Sequence, residues 1–183
     1  MSVPAVELRQ ISKRFGAVRA NQQVSLTVAS GSIHGIVGEN GAGKSTLMSI
    51  LYGYYQADEG DILIDGKVVN IRTPSSAIAH GIGMVHQHFM LVDTLSVLEN
   101  VMLGAEGGVR LAPSKRHAAR VLAGLARDYG LAVELDTIVA DLSLGAQQRV
   151  EILKALYRSV DVLVLDEPTG VLTPQEADAL FEV

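Results

Sequence analysis

Hydrophobic positions fall into short apolar runs set between polar and glycine-containing stretches, interleaved with longer segments of helical spacing. The runs at 6–11, 25–28, 33–37, 61–64 and 82–85 predict β-strands, since short apolar runs bounded by turn residues suit a buried pleated face. Val162, Leu163, Val164 and Leu165 form the clearest buried strand. Helical spacing recurs at Leu47, Ile50 and Leu51, at Val97, Leu98 and Val101, and at Ala118, Val121, Leu122 and Leu125. A further helix is expected to follow Ser143 and to run to about Tyr157. Thr173, Pro174 and Glu176 form a Thr-x-x-Glu capping box with Pro at the first helical position. The chain stops at Val183, before a typical helix of about 11 residues is complete, and so reads as a fragment. Strands flanking helices indicate an α/β domain, with the helix-rich middle, about 90–158, inserted into a core of about 1–89 and 159–183.

Composition narrows this picture. The 183 residues are 48% hydrophobic and 19% charged, enough to bury a core and form one soluble globular domain. No apolar run approaches the length of a membrane-spanning helix, and Met1, Ser2, Val3 and Pro4 form no basic and then apolar leader. The absence of cysteine removes disulfides, thiolate metal sites and cysteine nucleophiles, and suits a cytoplasmic location. A formal charge of −5, 4% aromatics and no Trp argue against nucleic acid as a partner.

Two segments carry chemistry. Gly38-Glu39-Asn40-Gly41-Ala42-Gly43-Lys44-Ser45, followed by Thr46, matches G-x-x-x-x-G-K-[ST] and lies between the apolar run 33–37 and the helix of Leu47 and Leu51. Its glycines let the backbone curl so that successive N–H groups and a helix N-terminus face a polyphosphate. Lys44 is then the point charge for the β and γ phosphates, and Ser45 offers a hydroxyl to Mg²⁺. The second segment is Asp166-Glu167-Pro168-Thr169, at the carboxyl end of the strand 162–165, where ligands of α/β sheets collect. Asp166 suits Mg²⁺, directly or through water, and Glu167 suits a general base acting on water aligned with a γ phosphate.

With Leu142-Ser143-Leu144-Gly145-Ala146-Gln147-Gln148-Arg149, these segments resemble the ATP-binding cassette family, the ATPase subunits of ABC transporters, over nearly the whole chain. The resemblance implies a P-loop NTPase core, an N-terminal antiparallel β subdomain and an inserted α-helical subdomain. It implies ATP and Mg²⁺ as cofactors and a head-to-tail arrangement with a second cassette, in which Ser143 and the Gly145 amide contact the γ phosphate held by the other phosphate loop. Gln87, in Gly83-Met84-Val85-His86-Gln87-His88-Phe89, matches the family's glutamine loop, which senses Mg²⁺ and the attacking water and couples them to the transmembrane partner. Phe15 occupies the position of the aromatic that stacks on adenine. The His86, Gln87, His88 triplet also has H-x-H spacing, but no third metal ligand is close in sequence.

The segments 86–92, 150–158 and 171–176 are similar to those of simple-sugar and nucleoside importer ATPases, with the nucleoside side nearer. That branch carries two cassettes in tandem, of which this chain resembles the first. The implied setting is the cytoplasmic face of the membrane, beside permease subunits fed by an extracytoplasmic substrate-binding protein. Three features depart from the family. Leu144 and Ala146 replace the usual Gly and Gln, Thr173 stands where Asp is common, and no His follows Glu167. This fragment alone is therefore expected to turn ATP over poorly. The competing readings are a non-transport cassette ATPase of DNA repair or translation, and a nucleotide-binding fragment without turnover. Against the former, the interval between the two motifs has neither Cys nor a long heptad run. Its basic cluster, Lys115, Arg116, His117, Arg120 and Arg127, reads as a solvated helix face.

Overall fold

The alternation at 6–11 builds a longer strand than it predicts, β1 (Val6–Phe15), because a bulge resets its phase. Val6 and Leu8 point inward at period two, and Ile11 rejoins the same buried face after the backbone of Gln10 turns to φ 53. On the neighbouring β2 (Val18–Val28), Gln23 does the same with φ 48. The amide hydrogens displaced from the ladder are not lost. Gln10 N–H donates to Ser25 Oγ at 3.0 Å, and Gln23 N–H donates to Ser12 Oγ at 3.1 Å. Opposite the bulge stands Gly60 (φ 99), where a Cβ would lie 2.5 Å from Arg9 O, so only glycine lets the next strand approach.

The computed structural model describes residues 3–86, 89–105 and 111–167, and the chain divides into two units between Ile82 and Gly83. In the first, β1 pairs antiparallel with β2 and with β3 (Glu59–Ile64), and β3 turns through Asp65 and Gly66 into β4 (Lys67–Val69). The sheet order is β2-β1-β3-β4, the antiparallel layer that the resemblance implies. Helix α1 (Lys44–Leu51) buries Leu47, Ile50 and Leu51. Helix α2 (Pro74–Ala79) starts with Pro after Thr73, whose side chain accepts from Ser76 N–H at 3.2 Å.

One expected strand does not form. Residues 33–37 make no ladder among the described residues, and Ile33 and Val37 are 79% and 97% exposed. An apolar run records a tendency to be covered. Strand formation also needs a neighbour to take its N–H and C=O groups.

In the second unit β5 (Ile82–Val85) pairs with β6 (Val162–Leu165). Around them lie α3 (Val97–Met102), α4 (Leu111–Asp128) and α5 (Leu144–Tyr157), matching the predicted helical spacings and the expected limits of the helix after Ser143. Val85, Val97, Val101, Leu122, Leu131, Val150, Ile152 and Leu153 form the core. Ala118 and Leu122 bring α4 onto it, while Lys115, Arg116, His117, Arg120 and Arg127 face solvent. The helix expected after Thr173 lies outside the described residues, and no helix among them is long and apolar enough to cross a membrane.

Two polar groups hold α3 in place. Asn100 is fully buried; its Oδ1 accepts from Val92 N–H at 2.7 Å, and its Nδ2 donates to the carbonyls of Val92, Leu95 and Ser96. Replacing Asn100 with Leu strands those groups and is expected to cost about 3 kcal/mol in urea unfolding. Glu99 closes a capping box with Ser96 and pairs with Lys115 at 3.0 Å, and these contacts, Lys115 first, pull its carboxyl from 4.5 to about 2. The stability it contributes is therefore complete above pH 4.5 and is lost as pH falls from 4.5 toward 2. Glu99→Gln keeps the capping geometry and should flatten that part of the stability curve, measured by denaturation at a series of pH values.

Candidate functional site

The phosphate-loop motif occupies the turn into α1. Gly43 is the N-cap with left-handed backbone, φ 87 and ψ 9, and no side chain caps the helix or places a carboxylate in its first turn. The positive end of the helix dipole is thus left facing the loop without a side-chain cap over it, an arrangement suited to an anion. The Lys44 ammonium donates to Gly38 O at 2.6 Å and Glu39 O at 2.9 Å, and Ala42 N–H closes back on Glu39 O at 3.1 Å. Gly38, Glu39, Asn40, Gly41 and Ala42 are exposed, while Gly43, Lys44 and Thr46 are half-buried and Ser45 is exposed.

Gly43 is pressed against β2. A Cβ there would lie 2.1 Å from Ala20 O and 2.8 Å from Asn21 Nδ2, so the position excludes a side chain by contact as well as by φ. Asn21 was not among the candidates read from the sequence. Its Nδ2 donates to Gly43 O at 3.1 Å, and it is 6% exposed. No local signal marks it, since an Asn in a polar stretch of strand reads as a solvent-facing residue.

Phe15 ends β1 and meets Tyr55 edge-on, with ring centroids 5.0 Å apart and the Lys13 ammonium 5.5 Å from the Phe15 centroid. Lys13 also pairs with Asp58 at 2.8 Å, and Asp58 accepts from Arg14 N–H at 2.7 Å, which holds the end of β1. Phe15 and Tyr55 remain 42% and 44% exposed. The pair forms an aromatic surface open to a flat ring. The sequence pointed to Phe15 alone; Tyr55 lies forty residues away, with no periodicity to link them.

The remaining candidates belong to the second unit. Asp166 follows β6 and its N–H donates to Val85 O at 3.1 Å, which continues the β5–β6 pairing to the carboxyl end where the acids stand. Asp166 is half-buried, and Glu167 is exposed with left-handed backbone at φ 49, a conformation that non-glycine residues adopt at some cost. His86 follows β5 and is half-buried. Burial pushes its imidazole below the ordinary 6.5, against the opposing pull of the Asp166 carboxylate, and the Lys154 charge adds to the lowering. Gln87 and His88 lie outside the described residues, and among the described residues no cluster of His, Asp and Glu could hold a metal ion.

Ser143 is the N-cap of α5, its Oγ accepting from Ala146 N–H at 3.3 Å, with Gly145 buried in the first turn and Leu144 56% exposed. Further along α5, Glu151 accepts from Met90 N–H at 2.7 Å and Lys154 donates to Met90 O at 2.8 Å. Both side chains are largely buried, and their charged ends stand 3.9 Å apart. Burial pushes the Glu151 carboxyl up and the Lys154 ammonium down, each opposed by the other's charge. The helix that begins at Ser143 thereby grips both polar groups of the Met90 backbone.

Residues 21–170 match the ABC transporter family, and the chain belongs to it. Similar proteins place it near one branch. The nucleoside import ATP-binding protein NupA of Lactococcus lactis subsp. cremoris is 49% identical over 97% of this chain, and the guanosine import ATP-binding protein NupO of Bacillus subtilis is 47% identical over 97%. The ribose import ATP-binding protein RbsA of Caldanaerobacter subterraneus subsp. tengcongensis is 43% identical over 98%. The chain spans only 35% of the length of NupA and of NupO. Among solved structures, a nucleotide-free ATP-binding cassette from an ABC transporter superposes with a TM-score of 0.83 at 27% identity, over 99% of this chain and 75% of that one. The ADP conformation of an ATP-binding cassette gives 0.81 at 27% identity, over 99% and 74%. The fold is that of the P-loop NTPase cassette, as the sequence motifs led us to expect.

The fit of Gly43 against β2 is open to test. Gly43→Ala combines an unfavourable φ with overlap on Ala20 O, and should lower unfolding free energy by about 3 kcal/mol in denaturant titration.

Proposed function

We propose that the chain is the nucleotide-binding part of an importer ATPase that drives a small solute, a nucleoside or a simple sugar, through a separate membrane permease. The observation that carries this reading is the start of α1: an uncapped helix N-terminus after a left-handed glycine, with the Lys44 ammonium turned onto the loop carbonyls. Such a surface offers an N–H lining and one mobile positive charge to a polyphosphate. The relatives named for nucleoside, guanosine and ribose import support the branch.

ATP is the nucleotide we assign. Phe15, beside Tyr55, presents a ring for the adenine, Gly38 through Gly43 wrap the phosphates, and Lys44 leaves the carbonyls of Gly38 and Glu39 to meet phosphate oxygens. Thr46 lies in the same first turn. We assign Mg²⁺, which prefers oxygen, to the Ser45 hydroxyl, the Asp166 carboxylate and the Gln87 amide oxygen on the chemistry of those side chains. When bound, Mg²⁺ neutralises charge on the β and γ phosphates. Glu167 is assigned as the general base, taking a proton from the attacking water onto a carboxylate oxygen, with Gln87 orienting that water. Ser143 can serve twice. Accepting from Ala146 N–H leaves its own O–H to donate to a γ phosphate on a second cassette, beside the Gly145 amide.

The partners in this reading are permease subunits at the cytoplasmic face of the membrane, a second cassette, and indirectly an extracytoplasmic substrate-binding protein. The experiment compares two variants of the full-length protein. Lys44→Ala should abolish ATP binding in a fluorescence titration. Glu167→Gln should retain binding while hydrolysis falls about 100-fold or more. Near-normal turnover by Glu167→Gln removes Glu167 from the role of base, and unchanged binding by Lys44→Ala removes the phosphate loop from the site.

A further inference from the structure

Asn21 carries a contradiction that the phosphate loop resolves. It sits on β2, 6% exposed, packed against Gly43 at the start of α1. Its Nδ2 donates to Gly43 O, yet its Oδ1 is buried with no hydrogen-bond partner among the described residues. A leucine of similar size would fill the place without stranding an acceptor, and a buried unsatisfied oxygen works against the fold. Such a residue makes sense where it serves something other than stability.

The group it holds shows what that is. Gly43 O already accepts the first hydrogen bond of α1, from Leu47 N–H at 2.9 Å, and Asn21 adds a second donor at 3.1 Å from the neighbouring strand. The carbonyl of Gly43 and the amide hydrogen of Lys44 belong to one planar trans peptide, so they point in opposite directions. Fixing the carbonyl toward β2 and the body of the helix therefore aims the Lys44 N–H out of the helix mouth. Gly43 itself supplies no restraint, since a glycine at φ 87 rotates more freely than any other residue. The bulge at Gln23 lies two residues along β2 and resets the phase of the strand beside Asn21.

We propose that Asn21 is a positioning residue of the phosphate loop: by holding the Gly43 carbonyl from β2, it sets the Gly43–Lys44 peptide so that the Lys44 amide donates to a bound polyphosphate. This rests on the reading of the loop as a nucleotide site. The role is distinct from the contacts of the motif itself, because Asn21 lies outside the motif and touches the loop from behind.

The test uses the full-length protein with ATP and ADP as probes. Asn21→Leu should unfold in urea at or above the wild-type midpoint, since it removes the stranded oxygen together with the donor. It should weaken both nucleotides about 5- to 10-fold, the loss of one oriented hydrogen bond, and raise KM for ATP with kcat unchanged. Asn21→Asp, which turns a second acceptor toward Gly43 O, should weaken binding more. A merely structural role predicts the reverse pattern, a lower midpoint with unaltered nucleotide affinity in the folded fraction. If Asn21→Leu fails to fold, Asn21→Ser, polar but too short to reach Gly43 O, takes its place. Wild-type affinity in whichever variant folds overturns the proposal. Failure of the wild-type protein itself to bind either nucleotide, with Lys44→Ala changing nothing, overturns the nucleotide site and the positioning role with it.

Discussion

Helix α1 starts without a side-chain cap, and the glycine before it is left-handed and packed against β2, where no side chain would fit. A helix begun this way gives up the stabilisation of a Ser, Thr or Asp cap. The surrounding elements make up for it from behind. The antiparallel sheet brings Ala20 and Asn21 against Gly43, and Leu47, Ile50 and Leu51 bury the opposite side of the helix. Packing, and one strand-borne amide that donates to the Gly43 carbonyl, thus support the start of the helix from behind and leave its mouth open.

A comparable economy governs the second unit. Helix α5 begins at Ser143, whose hydroxyl satisfies the helix, and continues to Glu151 and Lys154, which hold the N–H and C=O of Met90. Burying two charges is costly unless they are paired and hydrogen-bonded, and here each charge has both a counter-charge and a backbone group. The backbone at Met90 is thereby tied to α5 through groups that cannot be exchanged one at a time without leaving the other buried and unmatched.

Much of this was legible in the sequence. The strand 162–165, the helix following Ser143 and the phosphate loop all rest on local signals: a continuous apolar run, a capping residue before helical spacing, and glycines at fixed offsets. Local signals fail where a distant neighbour decides the outcome. The run 33–37 has the apolar content of a strand but no ladder partner among the described residues. The strand predicted at 6–11 continues to Phe15 because Ser25, on the next strand, satisfies the amide that the bulge at Gln10 displaces. Tyr55 joins Phe15 only because the sheet returns it there.

The sequence by itself determined the type of chemistry: a glycine-rich turn with a lysine, two acids at a strand end, and a capped helix that could face an anion are written in adjacent residues, where spacing alone conveys geometry. Tertiary structure alone decided how that chemistry is held. Asn21 and Gly43 are twenty-two residues apart and carry no shared period, so their hydrogen bond exists only once β2 and α1 have packed. The same is true of Met90 between Glu151 and Lys154, more than sixty residues further along the chain. Motifs encode what a backbone does over one or two turns. The supports behind them depend on contacts between distant segments, which local patterning does not record.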